Sequence, residues 1–139
     1  MDDCIFCKIV AGEIPSRTVY EDDDVFAFLD VNPLAEGHTL VIPKGHHETI
    51  EDLPADVATS LFAAVHELTP AVEDAVDADG STVAFNNGEA AGQEVPHVHC
   101  HIVPRFEGDG NGPIHALFGG PGEMEDDQLD AVAERIKQY

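Results

Sequence analysis

In His97-Val98-His99-Cys100-His101-Ile102-Val103, three imidazoles alternate with apolar side chains. Successive side chains of an extended strand point to opposite faces, so His97, His99 and His101 share one face while Val98, Cys100 and Ile102 share the other. Adjacent imidazoles then stand roughly 6.6 Å apart, at about 3.3 Å per residue. A strand over residues 97–106 therefore has an apolar back for a core and a histidine front that is costly unless a ligand uses it. Two chemistries suit that front. One is a metal site, since His-x-His strands bind zinc. The other is phosphorus chemistry, in which an imidazole serves as nucleophile, proton carrier or cationic phosphate partner near neutral pH.

Working outward, Ser81-Thr82-Val83-Ala84-Phe85-Asn86 reads as a strand closing at Asn87-Gly88, with residues 89–96 as a loop. Val25-Phe26-Ala27-Phe28-Leu29 reads as a strand ending at Asp30, and His38-Thr39-Leu40-Val41-Ile42 as the next, stopped by Pro43. The Asn32-Pro33 turn between them predicts antiparallel neighbours. From Leu53 to Val76, Val57, Leu61, Val65, Leu68, Val72 and Val76 recur three or four apart on one face of a long helix. Pro54 fits its first turn, and Pro70 predicts either a kink or two abutting helices. Residues 1–12 read as a short helix or turn ended by Gly12, and Gln128 to Lys137 as a terminal helix. These elements predict an α+β fold with an antiparallel sheet. No repeat or linker divides the chain, so one domain is expected over 1–139, with a carboxyl-terminal loop and helix over 107–139.

The chain has 139 residues, 28 Asp and Glu against 6 Lys and Arg, and a formal net charge of −22. A hydrophobic fraction of 43% supports a packed core despite that charge. The acid is spread in runs such as Glu21-Asp22-Asp23-Asp24 and Glu123-Met124-Glu125-Asp126-Asp127, a property of the whole surface. Such a field argues against nucleic-acid and anionic-membrane partners. It fits a salt-rich cytoplasm, because near 1 M salt the screening length falls to roughly 3 Å. No apolar run reaches the roughly 18 residues of a membrane-spanning helix, and Met1-Asp2-Asp3-Cys4 is no signal peptide, so a cytoplasmic protein is expected.

Cys4, Cys7 and Cys100 form no even disulfide framework. The pair Cys4-x-x-Cys7 suits metal binding, redox chemistry or simple packing. Four-coordinate zinc needs two further ligands, and the chain offers histidines. Cys100, on the core side of the triad, reads as a small hydrophobe. His66 reads as a partly exposed or packed residue of the long helix, and Lys44 and Arg105 as members of structural ion pairs.

Together with the triad, Cys4-Ile5-Phe6-Cys7-Lys8-Ile9, Ala27-Phe28-Leu29-Asp30-Val31, Gly37-His38-Thr39-Leu40-Val41-Ile42-Pro43-Lys44, Asn86-Asn87-Gly88 and Ala91-Gly92-Gln93 stand in one order along nearly the whole chain. The sequence resembles the histidine triad (HIT) superfamily, and within it the prokaryotic Hint-like branch with an amino-terminal zinc pair. The resemblance implies two displacements at the α-phosphorus of a purine nucleotide, a phosphoramidate or related nucleoside 5′-phosphate derivative. His99 would attack and form a nucleotidyl-histidine that water cleaves. His101 would contact the phosphate oxygens, His97 would orient the nucleophile, and His38 would lie near the same phosphate. A backbone carbonyl taking the proton of one His99 nitrogen would leave the other free to attack.

The resemblance further implies that Asp30 accepts from the ribose hydroxyls with Val31 beneath the base. Asn86 and the backbone of Gly92-Gln93-Glu94 would hold the phosphate. Zinc would be structural, bound by Cys4, Cys7, His46 and His97, with His47 as the alternative to His46. A homodimer with sheets joined across the two-fold is implied, with the long helix near the interface, and His115 lies in a stretch that reaches toward the pocket in relatives. Glu94 departs from the family pattern, which has Ser or Thr there. It either points away and offers only its N–H, or acts protonated as the leaving-group acid. Dinucleoside polyphosphate hydrolysis and a nucleotide-binding partner or sensor with little turnover are the competing functions.

Overall fold

The computed structural model describes residues 3–139. Met1 and Asp2 of the 1–12 segment lie outside the described residues. Two compact units are formed, one ending at Asp109 and one of Gly110–Tyr139. The division falls at the start of the carboxyl-terminal loop, inside the span read from sequence as one domain.

The first unit runs α1 (Ile5–Val10), β1 (Thr18–Glu21), β2 (Val25–Leu29), β3 (Thr39–Pro43), a 3₁₀ turn (Ile50–Asp52), α2 (Ala55–Ala75), β4 (Gly80–Phe85), a second 3₁₀ turn (Glu89–Ala91) and β5 (Cys100–Arg105). The strands form one antiparallel sheet in the order β1-β2-β3-β5-β4. This is the α+β fold expected, and β2 and β3 pair as neighbours with Phe28 opposite Leu40.

Both sheet faces are buried, which accounts for the unbroken apolar runs of β2 and β3. On one face Val25, Ala27, Val41, Cys100 and Ile102 meet Leu61, Ala64, Val65, Leu68 and Val72 of α2. On the other, Phe26, Phe28, Leu40 and Ile42 meet Cys4, Phe6 and Ile9 of the amino-terminal segment. Pro70 neither breaks α2 nor splits it, since the helix is continuous over 21 residues. An interior proline costs about 3 kcal/mol. Each of the four buried Leu and Val side chains of α2 contributes roughly 1.5–3 kcal/mol, so their burial outweighs it. Gly37, at φ +88°, lets the turn before β3 pass close to α2 and β5, because a Cβ there would stand 2.9 Å from Val76 Cγ1 and 3.3 Å from Pro104 Cγ.

The triad strand is shorter than the expected 97–106. β5 starts at Cys100 and ends at Arg105, so His97, Val98 and His99 precede it. The cause lies in its partner. With Val41 opposite Cys100, the same register would set Pro43 opposite Val98, and Pro43 has no N–H to give to a ladder. Val98 N–H turns instead to His47 O at 2.8 Å, and Pro43 O accepts from His97 Nε2 at 2.8 Å.

In the second unit a 3₁₀ turn (Ile114–Phe118) precedes α3 (Asp126–Lys137). The helix starts before the expected Gln128, with Gln128 Oε1 accepting Glu125 N–H at 2.9 Å across its first turn. Among the described residues, no helix is long and apolar enough to cross a membrane.

Candidate active site

His101 on β5 and His38, which leads into β3, share the sheet face opposite α2. Opposed residues share a face, and Leu40, which packs there, lies opposite His101. His38 is 2% exposed, and its two ring nitrogens have defined duties. Nδ1 accepts Leu34 N–H at 3.1 Å, so the proton resides on Nε2, which donates to His101 Nδ1 at 2.9 Å. His101 is thereby fixed with its own proton on Nε2, ready to donate to an anion. Burial holds both rings below the ordinary histidine range, His101 down to about 4, helped there by His99 and His38 and opposed by Asp30. The pair is neutral near pH 7 and presents the Nε2–H of His101.

His99 adjoins this pair, its ring 5.0 Å from that of His101. His99 Nδ1 donates to His97 O at 2.8 Å, which leaves the lone pair on Nε2. This is the backbone-fixed tautomer expected of a nucleophilic imidazole. Phe6 meets the His99 ring edge-on at 5.0 Å and the His97 ring at 5.8 Å. The face expected of three strand histidines is thus divided: His101 is on the strand, while His97 turns toward the amino terminus.

There His97 Nδ1 lies 3.3 Å from Cys4 Sγ and 3.6 Å from Cys7 Sγ, and Cys7 Sγ lies 3.4 Å from His46 Nδ1. The four donor atoms all stand within 4.8 Å of one another. A tetrahedral ion bound at ordinary zinc–sulfur and zinc–nitrogen lengths separates S from N by about 3.5 Å, so the donors fit such an ion. Because His97 Nε2–H donates to Pro43 O, Nδ1 carries the lone pair a ligand needs. Burial pushes the Cys7 thiol up to about 11, reinforced by Cys4, so an incoming divalent ion would displace its proton. His47 is not in the cluster; its ring folds back, its Nε2 3.0 Å from where a Gly45 Cβ would stand.

Asp30 Oδ1 accepts Asn32 N–H at 2.9 Å, an Asx turn, and Oδ2 lies 3.8 Å from His38 Nδ1. Val31 is 73% exposed. One step past the last β4–β5 pair, Phe85 opposite Cys100, the register would set Asn86 opposite His99. Gly92, at φ +91°, ends the 3₁₀ turn in the left-handed region that glycine favours. Glu94 is exposed. Gln93 turns its carboxamide onto backbone groups of its own and a neighbouring segment.

Lys44 pairs with Glu21 at 2.7 Å and Arg105 with Asp109 at 2.9 Å, the structural pairs expected. Cys100 is buried, its thiol pushed up to about 12 by burial. His66 is exposed on α2, and His115 belongs to the second unit. Sequence reasoning missed Phe6 as a neighbour of the His99 ring, Leu34 N–H as the group that sets the His38 tautomer, and Pro43 O as the acceptor for His97. The only sequence signal for any of these was Phe6 standing between the two cysteines.

The HIT domain family matches residues 11–108. The chain belongs to the HIT family. It is 48% identical to an uncharacterized HIT-like protein of Methanocaldococcus jannaschii, over 96% of this chain and 98% of that one. It is 38% identical to an adenosine 5′-monophosphoramidase of Candida albicans, over 97% and 90%. With an adenylylsulfatase of Arabidopsis thaliana the identity is 44% over 78% of this chain and 55% of that longer protein. Among solved structures, a Streptococcus mutans protein superposes with a TM-score of 0.90 at 44% identity, covering 99% of this chain and 85% of that one. A Zn-bound histidine triad family protein from Mycobacterium smegmatis superposes with a TM-score of 0.75 at 35% identity, covering 94% and 98%.

Proposed function

We propose that this HIT-family chain is a nucleotide hydrolase that cleaves a purine nucleoside 5′-phosphoramidate, or a related nucleoside 5′-phosphate derivative, at the α-phosphorus. The observation that carries this reading is the 2.8 Å bond from His99 Nδ1 to His97 O. It leaves the lone pair on Nε2, which attacks phosphorus while the bond to the leaving group breaks, the departing nitrogen taking a proton from solvent water. Water then cleaves the nucleotidyl-histidine and returns His99 to its starting state. His101 Nε2–H donates to a phosphate oxygen as charge develops on it, and His38 keeps that proton in place. Asp30 and Val31 receive the ribose and base, and Asn86 with the 92–94 backbone receives the phosphate. In support, the two relatives with enzyme names differ in leaving group yet share an adenylyl phosphorus.

Zinc is the ion proposed for Cys4, Cys7, His46 and His97, as a closed structural site that takes no part in either displacement. The Zn-bound relative supports that choice. A homodimer working in a salt-rich cytoplasm completes the reading. The test is a substrate panel of adenosine and guanosine phosphoramidates and dinucleoside polyphosphates, run at low and multimolar KCl. Phosphoramidate turnover is expected. Turnover confined to polyphosphates would replace this reading, and nucleotide binding without turnover would make the chain a sensor.

A further inference from the structure

The carboxamide of Gln93 is committed to the chain's own backbone. Oε1 accepts Gly88 N–H at 2.7 Å, and Nε2 donates to Glu48 O at 2.7 Å and to Val95 O at 3.0 Å, which uses both of its protons. Each partner belongs to a different piece of the site. Gly88 O accepts from Ala91 N at 3.1 Å and Gln93 N at 3.2 Å, so the 88–93 loop is closed on itself. Glu48 lies two residues past His46, on the segment whose His47 O takes Val98 N–H at 2.8 Å. Val95 O also accepts His97 N–H at 2.8 Å, and His97 O in turn orients His99. Asn87 reinforces the same seam, accepting Ile50 N–H at 2.9 Å and donating to Glu51 Oε1 at 3.1 Å.

We propose that Gln93 is a positioning residue for His99: a latch joining the 88–93 loop, the His46 segment and the 95–97 turn, so that the His97 carbonyl is held where it fixes the nucleophile. Its side chain does not touch the nucleotide. The proposal rests on the reading of His99 as nucleophile, and it gives the Gln93 side chain a supporting role while leaving the phosphate to the 92–94 backbone.

Two full-length variants and one resonance test it. Gln93→Met keeps the volume and removes all three bonds, whereas Gln93→Glu keeps an acceptor for Gly88 and sets an oxygen against the carbonyls of Glu48 and Val95. In nucleotide-free protein, the Gly88 amide should exchange about tenfold faster or more in Gln93→Met. On the phosphoramidate, kcat should fall by about tenfold or more while KM stays within about threefold, because the lost support matters in the transition state. In the wild type, the Gln93 carboxamide proton resonances should stay in place on saturation with AMP. Should Gln93→Met not fold, Gln93→Glu is read the same way. Its Gly88 amide resonance should return toward the wild-type position as pH falls, since a protonated carboxyl regains a donor for Glu48 O. Unchanged Gly88 exchange, unchanged kcat, or a raised KM with carboxamide resonances that move on AMP would overturn the latch. If no nucleotide is turned over, the reading of His99 fails while the exchange measurement still decides the latch.

Discussion

Burial sets the proton count of the His38–His101 pair, and with it a pH dependence. Both rings lie below their ordinary range in the native state, His101 at about 4, and near 6.5 when unfolded. Between those values the unfolded chain binds protons that the native one does not, so stability rises with pH through the window and is lost toward acid. For His101 the loss amounts to about 3 kcal/mol at most. In molar KCl, the unfolding temperature should therefore fall between about pH 6.5 and pH 4.5. The slope should flatten in His101→Asn, which keeps an acceptor for His38 Nε2–H but does not titrate; an equal slope in the variant would contradict this. The side chains of this site were legible in the sequence, since His38, His97, His99 and His101 stand in motifs, while His46 came from the resemblance with His47 as its alternative. The backbone groups that set their tautomers were not. Leu34 N–H, Pro43 O and His97 O carry no side-chain signature, and their directions exist only once the chain has folded.

Elements with a strong period were the most legible. α2 follows its row of Val and Leu, and β2 and β3 their apolar runs, because burial on defined faces sets those patterns. The triad strand was read three residues too long at its start, since alternation alone does not distinguish a paired strand from an extended lead-in. The difference lay in Pro43 of β3, which pairs with Val25 on its β2 side but has no N–H to give on its β5 side. α1 is the element most dependent on the proposed ion. Six residues are too few for an isolated helix; its support is Phe6 and Ile9 in the core and Cys4 and Cys7 at the cluster. Metal analysis should find one zinc per chain. Stripping it with a strong chelator should speed exchange of the Lys8 and Ala11 amides and lower the unfolding temperature by about 10 °C, the effect of losing about 4 kcal/mol of linkage. Unaltered α1 exchange after complete stripping would contradict the structural role.

Across the whole molecule, a charge of −22 meets a site whose donors are imidazole N–H groups. Lys44, Arg105 and Lys137 are held in ion pairs with acidic neighbours. Under the proposed function, an acidic chain takes a phosphate locally while its surface repels anions. Screening should then favour folding, and the denaturation midpoint should rise between about 0.1 M and 2 M KCl; a flat midpoint would mark the charge as incidental. Low-salt inactivity would for the same reason say little about the chemistry. What decides the chemistry is a rapid acid or base quench of wild-type protein during turnover of adenosine 5′-phosphoramidate, followed by digestion and mass spectrometry. An adenylate on His99, missing in His99→Ala, is the expected result. Turnover without an adduct under quenches that preserve phosphohistidine, or an adduct that persists in His99→Ala, would contradict covalent catalysis by His99.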